Sequence, residues 1–331
     1  MVKMAKISVF GAGAWGTTLS ILLSENKNDV ALWSYEADVA EDILKFRENK
    51  KYLPGFQLPA AISPTQDIKS AVIKTNFIIL AVPTQFLRGI IEKITKDLSE
   101  EALILSASKG IEEKTLKLPL TIISEYYKGN ISAISGPNLA KEIAKGLPAA
   151  AVIASKEISS AKKFQSILNS ERFRVYTNDD IIGVQLGGAL KNVIAIAAGI
   201  ADGFTLGDNA KSALLIRGMA EITRLGISLG AKAQTFSGLA GMGDLITTCS
   251  SNLSRNHHVG LELAKGKKLN EILALMKDIA EGVPTCRAAI TLAKQQNIEI
   301  PITFEVYQIL FEGKDPYKAI TSLMKRSPTS E

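Results

Sequence analysis

Residues 6–20 constrain the fold of this chain more than any other stretch. A short apolar run is followed by Gly11, Gly13 and Gly16 in the spacing G-x-G-x-x-G, and a helical pattern begins directly after them. In a strand–turn–helix context the first glycine allows a sharp turn, the second lets the backbone approach a pyrophosphate, and the third lets the helix pack on the strand. The N–H groups at the start of the helix are then free to hold phosphates. The stretch therefore predicts a dinucleotide-binding site rather than a glycine turn that binds nothing.

Apolar runs alternate with helical patterns over the first half of the chain. Strands are predicted at 29–33, near residue 62, and at 76–82, 102–107, 131–135, 149–154 and 173–177. This alternation predicts an α/β fold with a Rossmann-type, doubly wound, mostly parallel sheet. Helices alone are favoured from Asp179 onward, and 49–55 reads as a turn-rich loop. We therefore predict a dinucleotide-binding Rossmann domain at residues 1–180 and an all-helical substrate-binding and catalytic domain at residues 181–331.

The composition is that of an ordinary soluble globular protein, with 46% hydrophobic and 22% charged residues. The net charge is +6, from 39 basic and 33 acidic residues, but the lysines are scattered. The only dense basic run, at 265–268, is more typical of a solvated turn than of a nucleic-acid-binding surface. We therefore expect no nucleic-acid partner, and the mild positive balance suits a small anionic substrate.

The cysteines and histidines offer no metal-binding pattern. Cys249 and Cys286 are far apart and form no ligand spacing, which predicts no metal site and fits a reducing cytoplasm. His257 and His258 are adjacent and are interpreted as surface residues. The N-terminus reads as the first strand rather than as a signal peptide, so we expect a cytoplasmic protein.

Residues 181–201 are apolar enough to be tested as a membrane span. They contain Lys191 near the middle, and a central lysine costs roughly 2.5–3.5 kcal/mol on insertion scales. The sequence therefore predicts a buried helix and no membrane span.

Polar residues follow several of the predicted strands, where a parallel sheet binds its ligands. Lys109 follows the strand at 102–107 and is either a ligand-binding residue or a solvated cap; its place beside Gly110 favours the former. Glu36 lies where a Rossmann acid binds the adenosine ribose, although a solvated loop acid is the alternative. Because no arginine stands nearby, the sequence favours NAD over NADP.

Lys191 is the only ionisable side chain between Asp180 and Asp202. Burial lowers the pKa of a lysine, so Lys191 is either a base or a buried cation paired with an anion; a lysine that extends to solvent is the third option. Gly187 and Gly188 lie one turn before it and cost about 1 kcal/mol each within a helix, which predicts a close approach by cofactor or backbone.

Two further stretches carry polar residues suited to an anionic ligand. A glycine-rich bend ends in Asp244, and Ser254, Arg255 and Asn256 open an amphipathic helix. Ser254 is the predicted N-cap. A hydroxyl, a guanidinium and an amide at a helix N-terminus can bind a phosphate, although an ordinary capped surface helix gives the same pattern.

Taken together, these residues resemble the bacterial type of NAD(P)-dependent glycerol-3-phosphate dehydrogenase over nearly the whole chain. The most specific motifs are Gly11-Ala-Gly-Ala-Trp-Gly-Thr, Tyr52-Leu-Pro-Gly, Ser108-Lys-Gly, Ser135-Gly-Pro, Gly183-Val-Gln-Leu-Gly-Gly-Ala-Leu-Lys-Asn, Gly238-Leu-Ala-Gly-Met-Gly-Asp and Ser254-Arg-Asn.

The resemblance implies hydride transfer between sn-glycerol 3-phosphate and dihydroxyacetone phosphate with NAD or NADP, to supply phospholipid synthesis. It implies that Lys191 is the proton acceptor. It places at the substrate Lys109, Gly136, Asn138, Lys191, Asp244, Ser254, Arg255 and Asn256. It places at the cofactor Gly11, Gly13, Ala14, Trp15, Gly16, Tyr35, Lys109, Ala140, Arg255 and Glu281.

The sequence departs from the family pattern at three of these positions. Ala14 stands where a serine is common, Asn138 replaces a small hydroxyl residue, and Tyr35 occupies a place often held by a basic residue. The last departure leaves the preference between NAD and NADP open.

Two other functions are alternatives to a glycerol-3-phosphate dehydrogenase. A β-hydroxyacid dehydrogenase would share both halves and a lysine on the long helix, but Gly187-Gly-Ala-Leu-Lys-Asn departs from the usual G-x-x-x-K-x-x-x-N pattern of that class. A non-catalytic dinucleotide sensor would not need the lysine. The sequence leaves the oligomeric state open and allows a homodimer.

Overall fold

A computed structural model describes residues 5–72 and 75–327, so the ends of both predicted domains lie outside the described residues. Its main sheet has eight strands in the order β10-β9-β8-β7-β6-β1-β2-β5. The strands of this sheet are β1 (Lys6–Phe10), β2 (Asp29–Trp33), β5 (Ile62–Thr65), β6 (Phe77–Leu80), β7 (Leu103–Ser106), β8 (Ile131–Ser135), β9 (Ala149–Ser155) and β10 (Phe173–Asn178).

The sheet is mostly parallel, as predicted. β1 pairs in parallel with β2 on one side and with β6 on the other, and only the β8–β9 pair is antiparallel. From β1 the chain runs outward first through β2 and β5, then in the opposite direction through β6, β7 and β8. The order therefore reverses beside β1, and such a switch point opens a ligand-binding crevice at the carboxyl ends of the strands.

The stretch predicted as a turn-rich loop is instead a small antiparallel hairpin, β3 (Glu48–Asn49) and β4 (Leu53–Gln57). The prediction of a loop is wrong because the strands are too short to show an alternating pattern. The buried amide of Asn49 donates to the carbonyl of Ala12 at 2.7 Å and to Oγ1 of Thr17 at 2.8 Å. The hairpin is thereby fixed to the glycine turn.

Helices cover both faces of the sheet and bury two apolar clusters against it. One cluster includes Val9, Leu19 and Phe164, and the other includes Phe10 and Ile91. Central strands buried on both faces explain the continuous apolar runs in the sequence. The helices of this part are α1 (Ala14–Glu25), α2 (Ala37–Phe46), α3 (Ile68–Val72), α4 (Thr84–Ile94), α5 (Pro119–Tyr126), α6 (Ala140–Ala144) and α7 (Ile158–Leu168).

The second part is built around one long helix, α8 (Ile181–Gly203), whose N-cap Asp180 accepts a hydrogen bond from the N–H of Gly183. This helix alone among the described residues is long and apolar enough to span a membrane, but 83% of its apolar window is buried by the surrounding helices. The remaining helices are α9 (Gly207–Ser228), α10 (Ala233–Phe236), α11 (Asp244–Ser250), α12 (Arg255–Ala264), α13 (Leu269–Leu275), α14 (Gly282–Gln296), α15 (Pro301–Phe311) and α16 (Pro316–Met324). The division into domains at residues 180 and 181 stays a prediction.

Candidate active site

The glycine turn between β1 and α1 has the geometry that its spacing predicts. Gly11 has φ +111°, and a Cβ there would lie 2.5 Å from the carbonyl oxygen of Ala81 at the end of β6. A Cβ at Gly16 would lie 1.9 Å from the carbonyl oxygen of Gly11. A Cβ at Gly13, in contrast, would meet no described atom within 4 Å, and the first turn of α1 contains no acidic residue. The turn therefore leaves open space before unpaired helix N–H groups, which fits the pyrophosphate of a dinucleotide.

Two other predicted cofactor positions adjoin this turn. Trp15 packs against Phe173 with 6.5 Å between ring centroids, and its indole N–H is buried without a partner in the described part of the chain. Ala140 opens α6, and its carbonyl accepts a hydrogen bond from Oγ1 of Thr18 at 3.2 Å. Together with Ala14 at the start of α1, these residues border the same crevice.

The end of β2 presents one exposed aromatic ring and one carboxylate. Tyr35 is 79% exposed and lies edge-on to Trp33, with 6.4 Å between centroids. Glu36 directly follows it, and its Oε1 accepts a hydrogen bond from the hydroxyl of Tyr52 and lies 3.4 Å from Nζ of Lys51. The hairpin therefore holds the carboxylate that the sequence placed at the ribose.

Glu281 joins the helical part to the sheet. One carboxylate oxygen accepts the backbone N–H of Thr84 at 2.8 Å, and the other is buried with no hydrogen-bond partner among the residues described. Burial raises the pKa of Glu281 to about 7, although the backbone hydrogen bond from Thr84 opposes this shift. The carboxyl lies at the carboxyl end of β6, beside the switch point.

A lysine–aspartate–lysine cluster forms the centre of the site. Nζ of Lys191 on α8 lies 2.7 Å from Oδ1 of Asp244, and Nζ of Lys109, which follows β7, lies 2.7 Å from Oδ2 of the same carboxylate. Burial raises the pKa of Asp244, but the two ammonium groups outweigh burial and the net pKa lies below its usual value. Burial lowers the pKa of Lys191 to about 8; Asp244 opposes this shift and the charge of Lys109 adds to it. Lys191 is therefore a buried cation that loses its proton at about pH 8.

Two further residues complete this cluster. Neither of them was assigned a role from the sequence. Oγ1 of Thr248 accepts a hydrogen bond from Lys191 at 2.5 Å; it lies four residues after Asp244, on the same face of α11. Asn192 directly follows Lys191 and donates to the carbonyl of Lys109 at 3.3 Å. In the sequence, only their spacings from Asp244 and Lys191 could have indicated a role in the site, and neither spacing is specific to such a role.

The predicted phosphate-binding residues lie at the start of α12. Ser254 is the N-cap, as predicted, and accepts the N–H of His257 at 3.2 Å. Asn256 donates to Oδ1 of Asn192 at 2.9 Å, which places it next to the cluster. The side chain of Arg255 is 49% exposed, and its nearest acid, Asp278, lies 3.7 Å away. Its guanidinium is therefore available to a ligand anion.

The loop after β8 also reaches the cluster. Nζ of Lys109 donates to the carbonyl oxygen of Gly136 at 2.8 Å. The side chain of Asn138 donates to the carbonyl of Ala150 at 3.2 Å, and its own amide oxygen is buried without a partner in the parts of the chain described. This oxygen is a further acceptor close to Gly136.

The structure corrects one interpretation and explains two others. His257 was expected at the surface, but it is only 2% exposed because α12 packs it against α8; His258 is exposed. A Cβ at Gly187 would lie 2.4 Å from the carbonyl oxygen of Ala240, so backbone approach accounts for that glycine. In the basic run at 265–268, Lys265 and Lys267 pair with Glu262.

Both cysteines are free and buried. Within residues 5–72 and 75–327, no three His, Cys, Asp or Glu side chains are grouped so as to hold a metal ion.

Comparison with known proteins agrees with this geometry. The family described as NAD-dependent glycerol-3-phosphate dehydrogenase matches through its N-terminal model at residues 6–161 and its C-terminal model at residues 180–321. The chain belongs to this family. The family predicted from the sequence motifs is thereby confirmed, and the β-hydroxyacid dehydrogenase alternative is set aside.

Individual relatives match over at least 98% of their own length. Glycerol-3-phosphate dehydrogenase [NAD(P)+] of Thermoanaerobacter sp. strain X514 is 45% identical over 98% of both chains. The enzyme of the same name from Streptomyces griseus is 45% identical over 100% of this chain and 99% of its own. The crystal structure of glycerol-3-phosphate dehydrogenase from Coxiella burnetii is 37% identical, with a TM-score of 0.95, over 98% of this chain and 99% of its own.

Proposed function

We propose that this chain is an NAD(P)-dependent oxidoreductase that interconverts sn-glycerol 3-phosphate and dihydroxyacetone phosphate. The observation that carries the proposal is the buried cluster of Lys191, Asp244 and Lys109, which lies between the dinucleotide crevice of the sheet and the start of α12. Membership in the family supports the same reaction.

Lys191 is the residue that moves the proton. With a pKa of about 8, its amine is partly neutral at physiological pH and can take the proton of the C2 hydroxyl of glycerol 3-phosphate. In the reverse direction the protonated amine donates to the carbonyl oxygen of dihydroxyacetone phosphate. When bound, NAD(P) accepts or supplies the hydride at nicotinamide C4.

Asp244 and Lys109 keep Lys191 in place and set its charge. Asp244 holds both ammonium groups within 2.7 Å, so neither lysine side chain is free to turn away. The positive charge of Lys109 favours the neutral form of Lys191 and also attracts negative charge that develops on the substrate oxygen.

The start of α12 supplies the binding site for the phosphate. Arg255 offers a half-exposed guanidinium, and Ser254 and Asn256 lie beside it on a helix N-terminus that favours anions. This separation of functions, a proton-transferring lysine on α8 and a phosphate site on α12, fits a phosphorylated secondary alcohol. A 3-hydroxy acid would instead need an anchor for its carboxylate.

The experiment is a spectrophotometric comparison of substrates. The purified chain is expected to oxidise NADH or NADPH with dihydroxyacetone phosphate and to reduce NAD or NADP with glycerol 3-phosphate. Unphosphorylated dihydroxyacetone and 3-hydroxy acids are the controls and should give far slower turnover. Faster turnover of a 3-hydroxy acid than of glycerol 3-phosphate, or no turnover at all, would contradict the proposal.

The cellular role follows from the product. The reductive direction supplies glycerol 3-phosphate, the backbone of phospholipids, and the two free cysteines suit a reducing cytoplasm. Within this scheme residues 1–180 act as the dinucleotide-binding domain and residues 181–331 as the substrate-binding and catalytic domain. Assembly as a homodimer remains a prediction.

A further inference from the structure

His257 connects the start of α12 to two other helices. Its Nε2 lies 2.7 Å from Oδ2 of Asp202 in the last turn of α8, and the same oxygen accepts a hydrogen bond from Lys211 of α9 at 2.7 Å. The imidazole side chain is 3% exposed, and its Nδ1 has no hydrogen-bond partner in the described parts of the chain. The ring therefore uses one nitrogen to tie α12 to α8 and, through the shared carboxylate, to α9.

α12 also rests directly on the backbone of α8. A Cβ at Gly199 would lie 2.0 Å from the carbonyl oxygen of His257, and a Cβ at Gly260 would lie 2.0 Å from that of Ile196. Glycines allow this close approach of the two backbones. Apolar side chains of both helices pack around these glycines, and Asn256 of α12 donates to Asn192 of α8. The bond between His257 and Asp202 adds a second polar contact between the first turn of α12 and α8.

The bond between His257 and Asp202, called the tie below, is close to the phosphate-binding residues and far from the proton-transferring lysine. Arg255 and Asn256 immediately precede His257 in the first turn of α12. Asp202 lies eleven residues after Lys191 on α8, which is about 16 Å along a helix that rises about 1.5 Å per residue. Any effect of the tie on the reaction must therefore pass through the position of α12.

We propose that His257 is a positioning residue, whose bond to Asp202 holds the first turn of α12 where Arg255 and Asn256 bind the phosphate of the substrate. The inference rests on the proposed function, since the affinity for a phosphorylated substrate is what the tie serves. It predicts a change in KM rather than in kcat.

Amide isosteres of histidine test this proposal. Glutamine places an amide nitrogen near the position of Nε2 and can keep the bond to Asp202, whereas asparagine places its nitrogen near Nδ1 and cannot; leucine fills the space without a donor. His257→Asn and His257→Leu should raise KM for dihydroxyacetone phosphate about 10- to 100-fold, because displacement of Arg255 weakens a charge-assisted hydrogen bond to the phosphate. Their kcat and their affinity for NADH should change little, and His257→Gln should keep most of the wild-type KM.

The neighbouring His258→Leu is the matched control, because His258 is exposed and should leave KM unchanged. A merely structural role for His257 would lower the folded fraction and hence the apparent kcat, but it would not alter KM. An unchanged KM in His257→Asn and His257→Leu would overturn the proposal.

Hydrogen exchange at residues 254–258 tests the tie without any substrate. Faster exchange in His257→Asn than in His257→Gln or the wild-type chain supports the proposal, and equal exchange in all three contradicts it. If the wild-type chain fails to turn over dihydroxyacetone phosphate, the proposed function is wrong, and the exchange measurement still decides whether His257 holds α12.

Discussion

The sheet and the helical part hold their portions of the site in different ways. In the sheet, the backbone does so: Gly11 turns the chain, Gly16 brings α1 against β1, and Gly13 leaves the helix N-terminus open. Where the helical part meets the sheet, buried side chains do so, with Asp244 held between Lys191 of α8 and Lys109 of the sheet half. A backbone site depends on a few neighbouring residues, whereas a side-chain site depends on residues that are far apart in sequence.

The two kinds of site should fail differently when they are altered. Loss of one partner from a buried ion pair typically costs about 3–5 kcal/mol, because the remaining charge is left without compensation. At the glycine turn the cost of a substitution depends on what the new Cβ meets, which differs from one glycine to the next. Substitutions can therefore separate function from folding in each half.

The largest effect is expected at Lys191. Lys191→Met should lower kcat by at least about 10²- to 10⁴-fold, the usual contribution of general acid–base catalysis. Asp244 keeps Lys109 and Thr248 as partners, so the variant should fold and bind cofactor. Lys191→Arg should not recover activity, because a guanidinium stays protonated.

The pH dependence of the wild-type chain sharpens this prediction. Because the pKa of Lys191 is about 8, glycerol 3-phosphate oxidation should rise with pH through about 8, as the neutral base forms. Reduction of dihydroxyacetone phosphate should fall over the same range, as the acid is lost. A folded Lys191→Met variant with near-normal kcat would refute the assignment.

Of the glycines in the turn, Gly13 is the one where a substitution should abolish cofactor binding and leave the fold intact. Gly13→Val should abolish NADH binding in a fluorescence titration while the circular dichroism spectrum stays normal, because its Cβ enters the space left for the pyrophosphate. Gly16→Val is the matched comparison and should destabilise the chain, since its Cβ would collide with the carbonyl of Gly11. Unchanged NADH binding by Gly13→Val would contradict the cofactor site.

The same difference explains how much of the molecule could be predicted from its sequence. The strands of the main sheet, the glycine turn and the Ser254 cap follow from local patterns, and the structure contains them. The pairing of Lys109 with Asp244 joins residues 135 positions apart, and no local pattern indicates it. The burial of His257 likewise depends on how α12 packs on α8. Local rules therefore predicted the elements of the main sheet and the Ser254 cap, but not the contacts between residues that are distant in sequence.

The next largest effect is expected at Arg255, the exposed member of the phosphate site. Arg255→Ala should raise KM for dihydroxyacetone phosphate about 10- to 150-fold, since a charge-assisted hydrogen bond contributes about 1.5–3 kcal/mol. Arg326→Ala is the control, because Arg326 is similarly exposed, at 53%, and also pairs with an acid. A wild-type KM in Arg255→Ala would place the phosphate elsewhere, with Lys109 as the next candidate.

The smallest effect is expected at Glu36, where the sheet half depends on a side chain rather than on backbone. Tyr52 and Lys51 contact Oε1 of Glu36, and no hydrogen bond to its Oε2 is found in the described residues. A carboxylate at this position accepts the ribose 2′-hydroxyl of NAD and repels the 2′-phosphate of NADP. Glu36→Gln should therefore lower the ratio of the Kd for NADPH to that for NADH about fivefold, as expected for about 1 kcal/mol from one hydrogen bond.

Fluorescence titrations with NADH and NADPH measure this ratio without turnover. Glu41→Gln is the matched control, because Glu41 lies on α2, the helix that directly follows Glu36, and pairs only with Lys45 among the described residues. If Glu36→Gln leaves the ratio unchanged, the carboxylate does not select the cofactor. Selection would then rest with Tyr35 or Lys51, and Tyr35→Arg should shift the ratio toward NADPH because it adds a cation beside the ribose. Such a result would mean that side chains determine the adenosine end of the cofactor site in the sheet half. The backbone would then determine only the pyrophosphate end.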